Sequence, residues 1–340
     1  MTDPSEGPAA EEETPPTRAD ESPAPESPAS FQEHVRAARD EFELHVDRAL
    51  ADFEQVNERI NERTGRNLLM AILFGLVVGA TVLASLLYLK WLFLVFAIPF
   101  CLLGVFEFSR VLQAAGRRID VVAQLSVGVV IMLSAYFVGH MTHWAITIAC
   151  VAVVIVWRLL AQMAASDGRR YADIITDVLV SSFVAIYVPL LASFAFVLLR
   201  QDHGELWVLA MLLAVVGADT GAYASGLAFG THAMAPRISP KKTWEGFAGG
   251  ALVTAAIAVA SGIFMLDIPW WAGLIFGVVV LGSATVGDLG ESMIKRDLGV
   301  KDMSSLLPGH GGVLDRLDSL LPSAAAALAM YYLLSPLVGS

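Results

Sequence analysis

Polar residues fill the first 66 positions, and from Asn67 the pattern inverts, with long apolar runs separated by short polar connections recurring to the end of the chain. Nine of these runs come close to the ~20 residues needed to cross a bilayer core. Their approximate limits are 67–89, 91–112, 120–140, 143–163, 178–199, 205–227, 246–266, 269–288 and 317–337. They predict an all-α polytopic membrane protein with about nine transmembrane helices. The first run follows a polar stretch, so it is expected to stay as an anchor and not to be removed as a secretory leader.

The connections orient the helices through the bias of Lys and Arg toward the cytoplasm. With the N-terminus inside, the inner segments hold Arg63 and Arg66, then Arg110, Arg117 and Arg118, then Arg169 and Arg170. Further on they hold Arg237, Lys241 and Lys242, and finally Lys295, Arg296, Lys301 and Arg316. The outer segments hold only Lys90 and Arg200. This predicts a cytoplasmic N-terminus and a C-terminus outside.

Composition agrees with a membrane protein, at 56% hydrophobic and 16% charged residues with mean hydropathy +0.63. The net charge of −11 belongs to the tail, because residues 1–66 carry 17 acidic and 7 basic side chains. Residues 1–30 are rich in Pro, Glu, Ser and Ala and have no aromatic residue, which predicts a disordered acidic tail. Over 31–66, Phe31, Val35, Ala38, Phe42, Val46, Ala49, Phe53, Val56 and Ile60 recur every three or four positions among charges. That is an amphipathic cytoplasmic helix, which either pairs as a coiled coil, lies on the bilayer or packs on its own membrane domain. Helices within 67–204 would form an N-terminal transmembrane region, and 205–340 a catalytic one with cytoplasmic loops 230–246 and 289–316. Cys101 and Cys150 both lie in apolar runs, so they read as packing residues.

Candidate chemistry is concentrated in three cytoplasmic stretches of the second half. In "VVGADTGAYASGLAFG", Asp219 interrupts an apolar helix beside Gly217, Gly221 and Gly226. Such a carboxylate faces either a cavity or a packing partner, and the glycines permit close helix approach. The loop "PRISPKKTWEG" sets Lys241 and Lys242 beside two prolines, suited equally to binding phosphate and to marking topology next to anionic headgroups. Residues 287–318 are the most informative. Asp288, Ser292 and Lys295 fall at i, i+4 and i+7, on one face if the eighth helix continues past the bilayer. Asp315 and Asp318 share a face at the start of the ninth.

A carboxylate on each of two helices can clamp a hard cation such as Mg²⁺, which takes oxygen ligands and keeps positions open for substrate phosphates. Between them, Pro308, Gly309, Gly311 and Gly312 allow backbone amides to approach an anion, and Lys295, Arg296, Lys301 and Arg316 can neutralise it. His310 can donate to a phosphate or act as acid or base. Taken singly, these residues also read as a helix cap, a turn and a topology signal. Together they suit metal-assisted phosphoryl chemistry.

The stretch resembles the signature of the phosphatidate cytidylyltransferases, or CDP-diacylglycerol synthases. Ser292, Ile294, Lys295, Arg296, Lys301, Asp302, Ser304, Leu307, Pro308, His310, Gly311, Gly312, Val313, Asp315, Arg316, Leu317 and Asp318 fill it without a gap. "ADTGAYASGLAFG" and "SPKKTWEG" are similar to family segments as well. The likeness is strong over about 205–337, diffuse over 67–204 and absent before Asn67.

The resemblance implies transfer of a cytidylyl group from CTP to phosphatidate at the cytoplasmic face of a bacterial plasma membrane, by a protein embedded among membrane lipids. It implies a homodimer, with no nucleic acid polymer as partner. Asp288 and Asp315 would carry Mg²⁺ and, if the site is binuclear, a second cation. Ser292, Lys295 and Asp318 would support the metal and the phosphates, with Arg316 and His310 beside the reacting groups. Lys241, Lys242, Arg296, Lys301, Gly311 and Gly312 would bind substrate, and Asp219 would stand in the cavity. A CTP-dependent polyprenol or lipid kinase would use similar parts, but the unbroken signature weighs against it. An ion-coupled transporter could use Asp219, yet here the charges cluster at one end of the chain without the paired, interrupted helices of such folds.

Overall fold

The computed structural model describes residues 68–165, 168–304 and 311–339. The expected tail and amphipathic helix, and His310, lie outside the described residues. Met1–Arg63 and Thr64–Ser340 divide as two units.

The second unit is a helical assembly. Its first half comprises α1 (Leu68–Tyr88), α2 (Lys90–Ala114), α3 (Val121–Phe137), α4 (His140–Ala165), α5 (Tyr171–Ala185) and α6 (Leu191–Leu199). The second half holds α7 (Gly204–Phe229), α8 (Trp244–Phe264), α9 (Trp270–Asp297), α10 (Leu314–Leu317) and α11 (Leu320–Leu334). Among the described residues, seven helical stretches are long and apolar enough to cross a membrane: Lys90–Ala114, His140–Ala165, Tyr171–Leu199, Gly204–Phe229, Trp244–Phe264, Trp270–Asp297 and Leu314–Leu337. The apolar helices α1 and α3 occupy the other two runs.

Three local departures from simple apolar helices matter. The stretch Tyr171–Leu199 passes through a π-turn, Ile186–Leu190, containing Pro189. A proline has no N–H to donate and crowds the preceding turn, so the helix accommodates it by widening locally. The last run, expected from 317, begins at Leu314 and breaks at Asp318–Ser319 between α10 and α11. The chain is mostly helical as expected, and the departure from an all-α chain among the described residues is one short hairpin between α7 and α8. Its strands, β1 (Ala233–Ala235) and β2 (Ser239–Thr243), pair antiparallel, Ala233 with Thr243 and Ala235 with Ser239. The run is too short and polar to span, and strand pairing satisfies its backbone groups where a helix would leave its ends open. Thr243 ends the hairpin and caps α8, its hydroxyl accepting the Gly246 N–H at 3.1 Å.

Close packing of α7 on α8 matches the small residues that lead into Asp219. A Cβ on Gly221 would meet the Gly249 carbonyl at 2.9 Å, and one on Gly250 the Ala218 carbonyl at 2.8 Å. Elsewhere the largely aliphatic core includes an aromatic group, with Trp207 edge-on to Phe276 and Tyr331 at centroid distances of 5.7 and 5.4 Å.

At the other end of the first half, Asp177 on α5 is fully buried. It accepts from Arg169 at 2.5 Å, from Arg158 at 3.4 Å and from the Arg118 N–H at 3.2 Å. A buried carboxylate needs such partners, so Arg118 and Arg169, read above as topology signals, also tie the α2–α3 connection to α4 and α5.

Candidate active site

Helix α9 continues to Asp297, well beyond the run expected to end at 288, so Asp288, Ser292 and Lys295 do share one face of a continuous helix. The start of α10 presents Asp315 and Arg316, and the break after it presents Asp318. These two elements touch closely because of Gly287, where a Cβ would lie 2.2 Å from the Asp318 carbonyl oxygen. The missing side chain brings Asp288 beside Asp318.

A polar cavity of about 380 Å³ opens between these elements. Asp288, Ser292, Lys295 and Arg296 line it from α9, and Asp315, Arg316 and Asp318 from the α10 segment. Asp219 reaches it from α7, and Lys301 and Asp302 from the connection after α9. A second cavity of about 450 Å³ adjoins it, sharing Asp219, Asp288 and Ser319. Its walls are largely apolar, with Ala222, Leu227, Phe247, Leu281 and Ala284, and the hairpin's Lys241 and Lys242 stand at it. The structure therefore gathers Asp219, Asp288, Ser292, Lys295, Arg296, Lys301, Asp315, Arg316 and Asp318 at one cavity, and Lys241 and Lys242 at its neighbour.

Within this group, opposite charges are interleaved. The Lys242 ammonium pairs with Asp288, and the Ser292 hydroxyl points at the same carboxylate from 3.5 Å, at the limit of a hydrogen bond. Lys295 donates to Asp315 at 2.9 Å and to Glu291 at 2.8 Å. Asp315 also accepts the Gly312 N–H at 2.9 Å and the Met303 N–H at 3.3 Å. Gly312 thus serves the site by orienting Asp315, and a Cβ there would crowd that carboxylate at 2.9 Å. Gly311 precedes it with φ +81°, a conformation that favours glycine. Asp318 is 8% exposed and accepts the Ser319 N–H at 2.6 Å. Arg296 donates through Nε to the Ile238 carbonyl at 3.2 Å, tying the Lys241–Lys242 hairpin to α9 as well as lining the cavity.

Asp219, Asp288, Asp315 and Asp318 are the acidic side chains of this set that could supply oxygen ligands to a hard cation, though among the described residues no group of three or more His, Cys, Asp or Glu side chains is close enough to hold a metal ion.

Two acidic residues at the site escaped the sequence reading. Glu291 is fully buried on α9, and its second oxygen, Oε1, has no hydrogen-bond partner. Glu107 on α2 is 2% exposed and reaches the α10 segment from the first half of the chain. Its signal was visible: a lone carboxylate inside the apolar run "FCLLGVFEFS" is expensive and marks a site by default.

Residues 69–334 match the family model described as "Cytidylyltransferase family". The phosphatidate cytidylyltransferase of Mycobacterium bovis is 37% identical over 277 residues, covering 80% of this chain and 90% of the relative. That of Haemophilus influenzae is 45% identical over 135 residues, 38% of this chain and 46% of the relative. The chloroplastic phosphatidate cytidylyltransferase 5 of Arabidopsis thaliana is 31% identical over 286 residues, 75% and 70% of the two chains. Spanning nearly all of the helical unit, the match means that this chain belongs to the cytidylyltransferase family.

Proposed function

We propose that the protein transfers the cytidylyl group of CTP to phosphatidate, yielding CDP-diacylglycerol and pyrophosphate. The observation that carries this reading is the junction of two cavities: a polar one walled by carboxylates and cations, and a largely apolar one, sharing Asp219 and Asp288. A nucleotide suits the first and the glycerolipid end of an amphiphile the second. Their phosphates then meet at the shared wall.

In this reading Lys241 and Lys242 receive the acceptor phosphate, and Lys295, Lys301 and Arg316 the triphosphate. An acceptor oxygen attacks the α-phosphorus in line, the bond to the α,β-bridging oxygen breaks, and pyrophosphate departs. A phosphate monoester near pH 7 is largely dianionic, so little base catalysis is required. The main barrier is holding two anions together, which fixed cations and restricted geometry lower. Asp288 and Asp315, supported by Asp318 and Ser292, would hold Mg²⁺, which when bound neutralises phosphate charge and orients the transferred group. His310 is assigned beside the phosphates by the family resemblance alone.

The same reading gives nine spans with the N-terminus and the catalytic cavity on the cytoplasmic side of a bacterial plasma membrane and the C-terminus outside, supported by the Lys and Arg distribution. The resemblance supports a homodimer.

Detergent-purified protein supplied with CTP, phosphatidate and Mg²⁺ tests the reaction. Release of pyrophosphate together with CDP-diacylglycerol is the expected result. A phosphorylated lipid with CDP as co-product would replace this reading with a lipid kinase.

A further inference from the structure

Glu107 lies on α2, outside the stretches that carry the family likeness most strongly, yet its carboxylate is directed at the catalytic segment. Oε1 accepts from the Ser304 hydroxyl at 2.5 Å and from the Val313 N–H at 3.0 Å, while Oε2 accepts the Leu314 N–H at 2.9 Å. A nearly inaccessible carboxylate costs several kcal/mol unless charge-assisted hydrogen bonds replace its water, and here three do. Two of those donors are N–H groups at the start of α10, which its own short helix leaves without partners.

The three donors lie on both sides of the 305–310 connection, Ser304 before it and Val313 and Leu314 after it. The second staple is Asp315, which accepts from Met303 before the connection and Gly312 after it. A Cβ on Gly312 would lie 2.9 Å from both Glu107 Oε2 and Asp315 Oδ2 and 3.1 Å from the Ser304 nitrogen, so the glycine is what allows the two staples to sit side by side. The three donors to Glu107, Ser304, Val313 and Leu314, line neither the polar nor the apolar cavity, so Glu107 serves the site through the chain. It holds the backbone from which Asp315, Arg316 and Asp318 project.

We infer that Glu107 is a positioning residue for cytidylyl transfer, anchoring the backbone on both sides of 305–310 to α2 so that Asp315 and Asp318 are held in register with Lys295 and Asp288. The inference rests on the cytidylyl-transfer reading for its chemistry. Its geometry can be tested without turnover.

The experiment compares wild type and Glu107→Gln in detergent by steady-state kinetics and by amide hydrogen exchange at Val313 and Leu314. Glutamine keeps the shape but puts an NH₂ or a neutral oxygen against groups that donate to a charge. The expected result is a fall in kcat of about 100-fold with the KM for phosphatidate changed by about twofold or less, the pattern of displaced catalytic groups. Exchange at the two amides should accelerate by about tenfold or more as their charged acceptor is lost. Glu107→Asp, which keeps the charge on a shorter arm, should recover part of the loss. A kcat within about threefold of wild type, or a loss of activity tracking loss of folded protein with exchange unchanged, overturns the inference. If Glu107→Gln does not fold, Ser304→Ala removes one donor without altering a membrane helix. It should lower kcat about tenfold and accelerate the same amides, and unchanged values there overturn the inference equally. Wild-type protein that makes no CDP-diacylglycerol would reject the transfer reading instead, with the exchange comparison still reporting whether Glu107 anchors the segment.

Discussion

Lys295 stands 2.9 Å from Asp315, and the same ammonium is 2.8 Å from Glu291 one turn earlier on its own helix. One cation thus joins two carboxylates, one lining the cavity and one fully buried. Breaking such a pair by removing one partner is costly because the other charge stays behind without compensation.

Lys295→Met therefore removes a cavity-lining cation, which in the proposed reading faces the triphosphate, and leaves the Asp315 carboxylate without its counter-charge. The expected outcome is a loss of kcat/KM of about 10²–10³, the usual scale for deleting one preorganised electrostatic contact. Lys295→Arg should recover little, since a planar fork cannot replace a compact ammonium between two carboxylates. Initial rates of CDP-diacylglycerol formation check both variants, and arginine activity near wild type would contradict the assigned geometry.

Asp288 is shared by both cavities and pairs with Lys242. Chelation with EDTA should abolish turnover and added Mg²⁺ should restore it, because the reading assigns charge neutralisation of the phosphates to the metal. Asp288→Asn should raise the Mg²⁺ concentration needed for half-maximal rate by about tenfold or more, the scale on which metal sites respond to altered ligation. A variant with unaltered Mg²⁺ dependence would move the metal to Asp315 and Asp318.

Much of this site was legible from spacing alone. Asp288, Ser292 and Lys295 repeat at helical intervals, and the structure continues α9 far enough to align them. Asp219 stood out as a charge in an apolar helix, and it lines both cavities. The rest depended on contacts distant in sequence. Nothing near Glu107 indicates that its partners lie about 200 positions away, and nothing near Arg296, which lines the polar cavity, indicates that it also meets the Ile238 carbonyl of the hairpin. Glu291 went unnoticed because an i, i+4 pair with Lys295 reads as an exposed helix pair until burial is known.

Gly287 allows a tight approach with a direct consequence for the chemistry. A Cβ there would collide with the Asp318 carbonyl at 2.2 Å, whereas one at Gly290, one turn on, would meet nothing within 4 Å beyond its chain neighbours and its own helix backbone. Gly287→Ala must separate α9 from the α10–α11 break, and overpacking of this kind costs about 1–3 kcal/mol. Since misplacement by about 1 Å can cost 10²-fold in rate, activity per folded molecule should fall by about that factor. Gly290→Ala is the control and should keep activity within about twofold, alanine being the better helix former. Paired assays and thermal unfolding in detergent separate the two effects.

Asp177 offers a test of stability away from the cavities. It compensates Arg158, which is itself 6% exposed, and Arg169 bridges the same carboxylate to the Gly116 carbonyl at 2.8 Å. Asp177→Ala leaves a buried guanidinium with its main counter-charge gone, and such a change destabilises by about 3–5 kcal/mol. The expected signature is rapid thermal inactivation and a lower unfolding midpoint in detergent. Turnover measured on the surviving folded protein at low temperature should stay close to wild type, because none of these side chains lines either cavity. Replacing Arg158 with Met at the same time should recover part of the stability, since the stranded charge and not the lost pairing carries most of the cost. No recovery in the double variant would mean that Asp177 acts chiefly through the Arg169 and Arg118 ends of its network.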